Sequence, residues 1–310
     1  MPITGAVLST WFKQCLTRIS PRLNTFVVYI LKFKRPINLK NPKTLDEKIQ
    51  WLKFNTYYEN PLVTQCADKY AVRQYVEKCG CAEILNELYG VYDSVEEISW
   101  DTLPNQFVIK WNFGCGQNLI VFDKSKLDIE DAKRKLNNWY KLHDTFYLTY
   151  SEMQYKGIVP KLICEKLIET ESGDVPVDYK LYCFNGVPDC VLVCGKRGQM
   201  DSGAEYYFFD KDWKLKRYNK RGKEAPVDFT LPKPEGIEKV FDYASKISKP
   251  FPFVRADFYL EKGNVIFGEL TFTPCGGFDV NRLPETQLRF GNMVDLSSIE
   301  KTSSLVNTNS

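Results

Sequence analysis

The feature that most restricts the fold of this 310-residue chain is a pair of apolar segments near its C-terminal end. The segments span residues 253–260 and 265–270, and the turn Lys262-Gly263-Asn264 joins them. A glycine-bearing turn between two strand-forming segments predicts a β-hairpin, so the two strands should pair antiparallel. Charged side chains interrupt both segments, and a charge among apolar neighbours needs a physical explanation.

The charged residues within the two segments are Arg255 and Asp257 on the first and Glu269 on the second, and Thr271 follows two residues after Glu269. Because side chains alternate along a strand, the members of each pair should face the same side of the sheet. Two carboxylates on neighbouring strands can converge on one or two Mg²⁺ ions through their oxygen atoms. The sequence leaves two candidates for the cation that these acids need: a bound metal ion, or Arg255 in a structural salt bridge.

A second glycine-bearing hairpin is predicted between residues 107 and 122. Lys110 lies at the end of its first strand, and Gly114 and Gly116 lie in the loop. An ammonium group beside such a loop suits a polyphosphate, because glycines let backbone amides approach the anion. The segment is not a Walker motif, since Gly-Lys-Ser/Thr is absent. An ordinary hairpin with a surface lysine is the alternative.

Two further segments suit a nucleotide. The backbone of the apolar segment 162–168 could hold the edge of adenine, and Asp178 downstream could hold ribose hydroxyls. A core strand followed by a loop explains the same residues equally well. Lys69 is predicted near the start of a helix, where a cation is unfavourable for the helix dipole unless an anion lies nearby.

The remaining elements follow from local signals. A capping box at Thr44 and Glu47 predicts a helix through about residue 54, and a second helix is predicted from about residue 60 to residue 78. The periodicity of apolar residues predicts helices at 128–140 and 235–248, and strands at 161–168, 179–184, 187–194 and 204–209. The polar tail 297–310 is predicted to be disordered.

Composition excludes several classes of protein. The net charge of +3 is too small to indicate a nucleic-acid partner. The 10 cysteines are scattered and the chain has one histidine, His143, so a zinc site and a catalytic histidine are not expected. No secretory signal is evident, so we expect a cytoplasmic protein without disulfides.

Residues 1–35 carry six basic residues and no acidic one, and their apolar residues recur at helical spacing. One interpretation is a basic amphipathic arm that lies peripherally on the anionic inner face of a membrane. The other, which the sequence favours, is a helix packed on the body of the protein with its basic residues solvated.

Taken in order, these segments resemble the ATP-grasp superfamily, and more closely its TupA-like group, which is associated with teichuronopeptide and other bacterial surface-polysaccharide clusters. The resemblance covers roughly residues 36–295 and is carried by residues 41–52, 67–73, 253–259 and 268–274. It implies an α+β, ATP-grasp fold in which two α+β lobes with mainly antiparallel sheets clasp ATP, preceded by a helical N-terminal segment.

The resemblance also implies a role for each candidate residue. Many ATP-grasp ligases have Asn as a third metal ligand where this chain has Thr271, whose hydroxyl is a weaker ligand. The implied roles are phosphate contacts from Lys69 and Lys110, a triphosphate-covering loop at Gly114 and Gly116, an adenine hinge at Glu165, Lys166 and Leu167, a ribose contact from Asp178, Mg²⁺ ligation by Asp257, Glu269 and Thr271, and stabilisation of an acyl-phosphate by Arg255. Of these, Arg255 and Lys110 are the expected catalytic residues.

The implied domain order is a basic arm at 1–35, a helical region at 36–105, a small lobe with the glycine loop at 106–168, a C-terminal lobe with the metal site at 169–296 and a disordered tail at 297–310. The implied function is that of an ATP- and Mg²⁺-dependent ligase that joins a carboxylate to an amine through an acyl-phosphate. The expected substrates are a sugar acid and an amino acid or amine in capsule or cell-surface polysaccharide biosynthesis. A phosphotransferase acting on a sugar or glycan and a catalytically silent nucleotide-binding subunit are the alternatives. The sequence does not indicate an oligomeric state.

Overall fold

The structure of the chain, a computed structural model, describes residues 5–168, 170, 175–195, 205–297 and 299. The chain divides into two compact units, one formed by Met1–Val28 and Glu59–Asp174, the other by Tyr29–Tyr58 and Val175–Ser310. The five-segment division of the sequence stays a prediction. The tail predicted to be disordered lies outside the described residues, except for Ser297 and Ile299.

The described residues contain nine α-helices, together with short 3₁₀ turns and one π-helical turn. The α-helices are α1 (Gly5–Ile19), α2 (Pro21–Phe33), α3 (Leu45–Leu52), α4 (Pro61–Ala67), α5 (Val72–Lys78), α6 (Ile129–Tyr140), α7 (Lys220–Glu224), α8 (Ile237–Ser248) and α9 (Pro284–Met293). Among these residues there is no helix with the length and apolar character needed to traverse a membrane.

Ten strands of the described chain form two antiparallel sheets, one in each unit. The strands are β1 (Leu88–Tyr92), β2 (Phe107–Trp111), β3 (Asn118–Val121), β4 (Leu162–Glu165), β5 (Asp178–Phe184), β6 (Val187–Gly195), β7 (Glu205–Phe209), β8 (Leu215–Lys216), β9 (Phe253–Glu261) and β10 (Asn264–Thr271). The four-stranded sheet has the order β1-β4-β2-β3, and the six-stranded sheet has the order β10-β9-β5-β6-β7-β8. The predicted α+β class with mainly antiparallel sheets and a helical N-terminal segment is confirmed.

The four-stranded sheet contains the predicted hairpin of Lys110. Strand β2 pairs with β3 and with β4, so Lys110 lies opposite Asn118 on one side and Ile163 on the other. Helix α6 covers the buried face of the sheet, where the Trp111 Nε1–H donates to the Leu136 carbonyl at 3.0 Å. This packing fixes the strand that carries Lys110.

The single helix predicted at 60–78 is wrong, because two helices, α4 and α5, occupy this stretch. The Asp68 side chain accepts hydrogen bonds from the amides of Tyr70 (2.7 Å) and Ala71 (3.0 Å). Such a local turn competes with continuous helix. Lys69 therefore lies in the turn between the two helices, three residues before the first residue of α5, which is near the start of a helix as predicted.

The six-stranded sheet is covered by α8, whose buried residues Val240, Ala244 and Ile247 face β5, β6 and β9. The predicted capping box is confirmed, because Thr44 accepts from the Glu47 amide while the Glu47 side chain accepts from the Thr44 amide. Helix α3 ends at Leu52, earlier than predicted, and continues as the π-helical turn Lys53–Tyr57.

Candidate functional site

The first cluster of predicted residues lies on the four-stranded sheet. The Lys110 Nζ lies 2.7 Å from the Glu165 carboxylate, and Arg73 Nη1 lies 3.8 Å from the other oxygen of the same group. Strands β2 and β4 are neighbours, which brings these side chains together. Two cations share one acid here, so the cluster carries a net positive charge that would favour an anion.

The glycine loop is held next to Lys69. The Lys69 amide donates to the Asn112 carbonyl at 3.0 Å, and its Nζ donates to the Gly114 carbonyl at 2.5 Å. Gly114 (φ 73°) and Gly116 (φ 75°) both adopt left-handed backbone conformations that favour glycine. A Cβ at Gly116 would meet nothing within 4 Å, so the loop backbone is open to an approaching group.

The predicted adenine hinge lies at the end of β4. The Lys166 amide donates to the Glu87 carbonyl at 3.0 Å, and the Lys166 carbonyl accepts from Asn86 Nδ2 at 2.8 Å. A carbonyl can accept a second hydrogen bond, but the amide of Lys166 is already used. Leu167 is buried beside it. Contacts of Glu165, Lys166 and Leu167 with adenine stay predictions.

The second cluster lies on the six-stranded sheet, where three charged residues form one row. Lys180 on β5 is paired with Asp257 on β9, and Asp257 is paired with Glu269 on β10. Directly opposed residues of neighbouring antiparallel strands project to the same face. A second row places Arg255 opposite Thr271. The predicted convergence of the two acids is thus present on one face of this sheet.

A β-bulge at Gly268 is what directs Glu269 to this face. Phe267 is paired with Phe258, and the register then shifts so that Glu269, not Gly268, is paired with Asp257. Without the extra residue, alternation would put Glu269 on the same face as Phe267. Gly268 lies so close to β9 that a Cβ there would come within 2.9 Å of the Asp257 carbonyl oxygen.

The buried carboxylate of Asp257 is held by two cations. Arg255 donates through Nε to one carboxylate oxygen (2.7 Å) and through Nη2 to the other (2.6 Å), which also accepts from Lys180 Nζ at 2.5 Å. Burial by itself would raise the pKa of Asp257, but Arg255 and Lys180 lower it below its ordinary value. Burial would lower the pKa of Lys180, but Asp257 and neighbouring acids raise it. Asp257, Arg255 and Lys180 are therefore all charged at neutral pH.

The predicted metal ligands converge on a positive charge that the protein itself supplies. The Arg255 Nη2 atom lies 2.6 Å from Asp257 Oδ2, 3.1 Å from Thr271 Oγ1 and 3.7 Å from Glu269 Oε1. The Thr271 hydroxyl in turn donates to Glu269 at 3.3 Å. Two carboxylates and a hydroxyl around one cationic nitrogen are a donor set that fits Mg²⁺.

The described residues contain no group of three or more His, Cys, Asp or Glu side chains arranged to hold a metal ion. A metal held by Asp257, Glu269 and Thr271 would have room for further ligands from outside the protein. This fits the preference of Mg²⁺ for a few carboxylates completed by water and phosphate oxygens.

Two charged residues of these clusters were missed by the sequence reasoning. Lys180 contacts both Asp257 and Asp178, the latter at 3.1 Å, and Arg73 accompanies Lys110 at Glu165. The spacing of Asp178 and Lys180 along one strand was a signal that could have identified Lys180. Asp178, predicted to contact ribose, lies buried in the second cluster, and its ribose contact stays a prediction.

Comparison of this chain with known proteins shows which family it belongs to. The family model for TupA-like ATP-grasp proteins matches residues 47–295. D-alanine–D-alanine ligase from Bacillus anthracis, solved in complex with ATP, is 14% identical over 99% of this chain and 96% of its own length, with a TM-score of 0.50.

Two other solved structures are also similar. The L-amino acid ligase from Bacillus licheniformis is 12% identical over 89% of this chain and 61% of its own, with a TM-score of 0.45. A D-cycloserine synthetase is 14% identical over 83% and 80%, with a TM-score of 0.44. A search of curated proteins gave no match. The ATP-bound ligase shares the fold, and the family match over most of the sequence shows that the chain belongs to the TupA-like ATP-grasp family.

Proposed function

We propose that the protein is an ATP-dependent carboxylate–amine ligase that works through an acyl-phosphate. The observation that carries this proposal is the row of Lys180, Asp257 and Glu269 with Arg255 beside it on one face of a sheet. Two cations and two carboxylates lie together there. Such an arrangement suits a reaction in which the protein supplies position and charge.

In the proposed first step, a substrate carboxylate oxygen attacks the γ-phosphorus of ATP, the bond to the bridging oxygen breaks, and ADP leaves. In the second step, an amine nitrogen attacks the acyl carbon, the acyl carbon–oxygen bond breaks, phosphate leaves, and the nitrogen loses a proton. Lys69 and Lys110 would hold phosphate oxygens of the nucleotide. Arg255 and Lys180 would stabilise the negative charge that builds up around the transferred phosphoryl group.

Asp257, Glu269 and Thr271 would hold Mg²⁺, which neutralises charge on phosphate oxygens when it is bound. The fit of these ligands to a cation supports this assignment. Because Arg255 Nη2 lies among the three ligand oxygens, the guanidinium group would have to share or yield Asp257 when the ion binds. Gly114 and Gly116 would supply backbone amides to the nucleotide.

We further propose a sugar acid as the carboxylate and an amino acid or other amine as the acceptor, within assembly of a bacterial surface polysaccharide. The resemblance to the TupA-like group supports this context. A phosphotransferase and a silent nucleotide-binding subunit would use the same nucleotide residues, so they are outcomes of the test.

The decisive experiment is ADP release with Mg-ATP across a matrix of sugar acids and amino acids, with Asp257→Asn as the inactive control. Release that requires one carboxylate and one amine together, and that the control lacks, is the expected result. Release with a hydroxyl acceptor alone would replace the ligase with a phosphotransferase. Nucleotide binding with no release for any pair would favour the silent subunit.

A further inference from the structure

The N-terminal helices attach to the first unit through polar side chains. The Thr17 hydroxyl, 3% exposed, donates to the Leu148 carbonyl at 2.6 Å and shares a hydrogen bond with the Ser151 hydroxyl at 2.8 Å. The fully buried Asn24 donates to the same Ser151 at 3.0 Å. Gln14 donates to the Thr145 carbonyl at 3.2 Å. The buried side of residues 10–28 is thus rich in hydrogen bonds.

The opposite side of the same helices, which we call the outer face, is apolar and exposed. On α1 it consists of Trp11 (59% exposed), Phe12 (47%) and Ile19 (75%), and on α2 of Leu23 and Phe26. A helix at the surface of a globular protein has the reverse arrangement, with apolar residues inward and polar residues outward. The sequence favoured a helix packed on the body of the protein with its basic residues solvated, and the helices do pack there with Arg18 and Arg22 exposed, but through polar side chains.

The spacing of these residues shows that the exposed apolar residues share one side of the helix and the buried polar residues share the other. With about 100° of rotation per residue, Trp11 and Ile19 lie within roughly 80° of each other, while Thr17 lies on the far side of the helix. A contiguous apolar face of this kind marks a surface that something covers. The question is which partner fits it.

Charge identifies the partner. Residues 1–45 contain no Asp or Glu, and residues 10–28 contain three basic residues, Lys13, Arg18 and Arg22. Arg18 and Arg22 are exposed beside the outer face. Aromatic and aliphatic side chains flanked by basic ones, with a tryptophan among them, match the boundary between headgroups and acyl chains of an anionic lipid layer.

We propose that the outer face of residues 10–28 binds an anionic membrane surface, with Trp11, Phe12, Ile19, Leu23 and Phe26 inserted at the headgroup boundary. The inward hydrogen bonds of Thr17 and Asn24 keep the helices attached to the first unit while the outer face contacts lipid. This inference does not depend on the reaction proposed above. It would bring the enzyme to substrates that are carried on, or released at, a lipid surface.

The test is sedimentation of the full-length protein with phosphatidylcholine vesicles that contain or lack phosphatidylglycerol. We expect binding only to the anionic vesicles, and weaker binding as salt is added, because salt screens the attraction. Each basic residue near an anionic surface strengthens binding about fivefold, so Arg18→Glu with Arg22→Glu should weaken it about 25-fold or more. Trp11→Ser with Phe12→Ser should also abolish sedimentation.

Matched controls carry the same kinds of change, charge reversal and replacement of an apolar residue by serine, on surfaces of the second unit. Lys211→Glu with Lys214→Glu and Val187→Ser with Val227→Ser alter residues that are exposed to a similar or greater extent, and they should bind vesicles like the unmodified protein. Unfolding midpoints of all variants identify any variant that fails to fold.

Three outcomes would overturn the proposal. The first is equal binding to neutral and anionic vesicles. The second is equal loss of binding in the controls and in the N-terminal variants. The third is absence of binding to the anionic vesicles. If the protein then forms a dimer that Trp11→Ser with Phe12→Ser dissociates, a second copy covers the outer face instead.

Discussion

Replacement of Lys180 by Met would test the charged row of the six-stranded sheet most directly. Lys180 Nζ lies 2.5 Å from Asp257 and 3.1 Å from Asp178, and both acids are buried. Methionine has nearly the same length and volume but no charge, so the change removes the ammonium group with little disturbance of packing. Two buried carboxylates would lose a cation at once.

The expected loss of unfolding free energy follows from the contacts that Asp257 keeps in Lys180→Met. Asp257 keeps two hydrogen bonds from Arg255, so the loss should fall at the lower end of the range for a broken buried ion pair, about 3 kcal/mol. Asp257→Asn by itself should also destabilise, because it leaves Arg255 and Lys180 close together without the carboxylate between them. The double variant Lys180→Met with Asp257→Asn removes both charges and so relieves this repulsion. It should be more stable than the sum of the two single effects predicts, by about 1–3 kcal/mol.

The assay is urea unfolding of the two single variants, the double variant and the exposed control Lys211→Met, together with ADP release by each. If Lys180 also stabilises the transferred phosphoryl group, Lys180→Met should lower the rate of release by roughly 10²–10³-fold. A free energy of unfolding like that of the Lys211→Met control, with additive effects in the double variant, would refute the coupling of Lys180 to Asp257.

Two further predictions concern backbone and capping. Gly268→Ala should lower the free energy of unfolding by about 1–3 kcal/mol, because its Cβ would come within 2.9 Å of the Asp257 carbonyl oxygen. Gly195→Ala, whose Cβ would meet nothing within 4 Å, should be nearly neutral. Equal unfolding midpoints of the two variants would contradict the close approach. Glu47, whose burial opposes ionisation, has its pKa lowered by hydrogen bonds from Arg35 and from backbone amides, so its stabilising effect is present above the ordinary glutamate pKa of about 4.3 and is lost as pH falls through the lowered value. In urea unfolding, the stability difference between the native protein and Glu47→Gln should therefore stay constant from neutral pH to about pH 5 and shrink as pH falls below about 4, and a difference that stays constant below about pH 4 would contradict it.

The sequence was most informative where structure depends on near neighbours. The capping box at Thr44 and the turn at Gly263 involve groups only a few residues apart, and both are present where they were predicted. The break between α4 and α5 is equally local, but the helical periodicity around it obscured the turn-forming side chain of Asp68. Local signals therefore predicted most elements and missed one boundary.

The sequence also predicted that the charged side chains of the second cluster converge, but strand alternation is only part of the physical reason. Alternation correctly paired Arg255 with Asp257 and Glu269 with Thr271, yet alternation alone would direct Glu269 to the face of Phe267. The bulge at Gly268 reverses this, and a bulge depends on the register between two strands.

What the sequence by itself determined is the type of most elements and the family, together with the residues proposed to bind nucleotide and metal, because these depend on local periodicity and motif order. Only the tertiary structure placed Lys180 beside Asp257, since strands β5 and β9 are neighbours although the two residues are 77 positions apart. Only the tertiary structure, likewise, decided which face of the N-terminal helices is buried. Periodicity shows that a helix has two faces, but the partner available to each face selects the one that packs, and here the carbonyl and hydroxyl groups at Leu148 and Ser151 select the polar face.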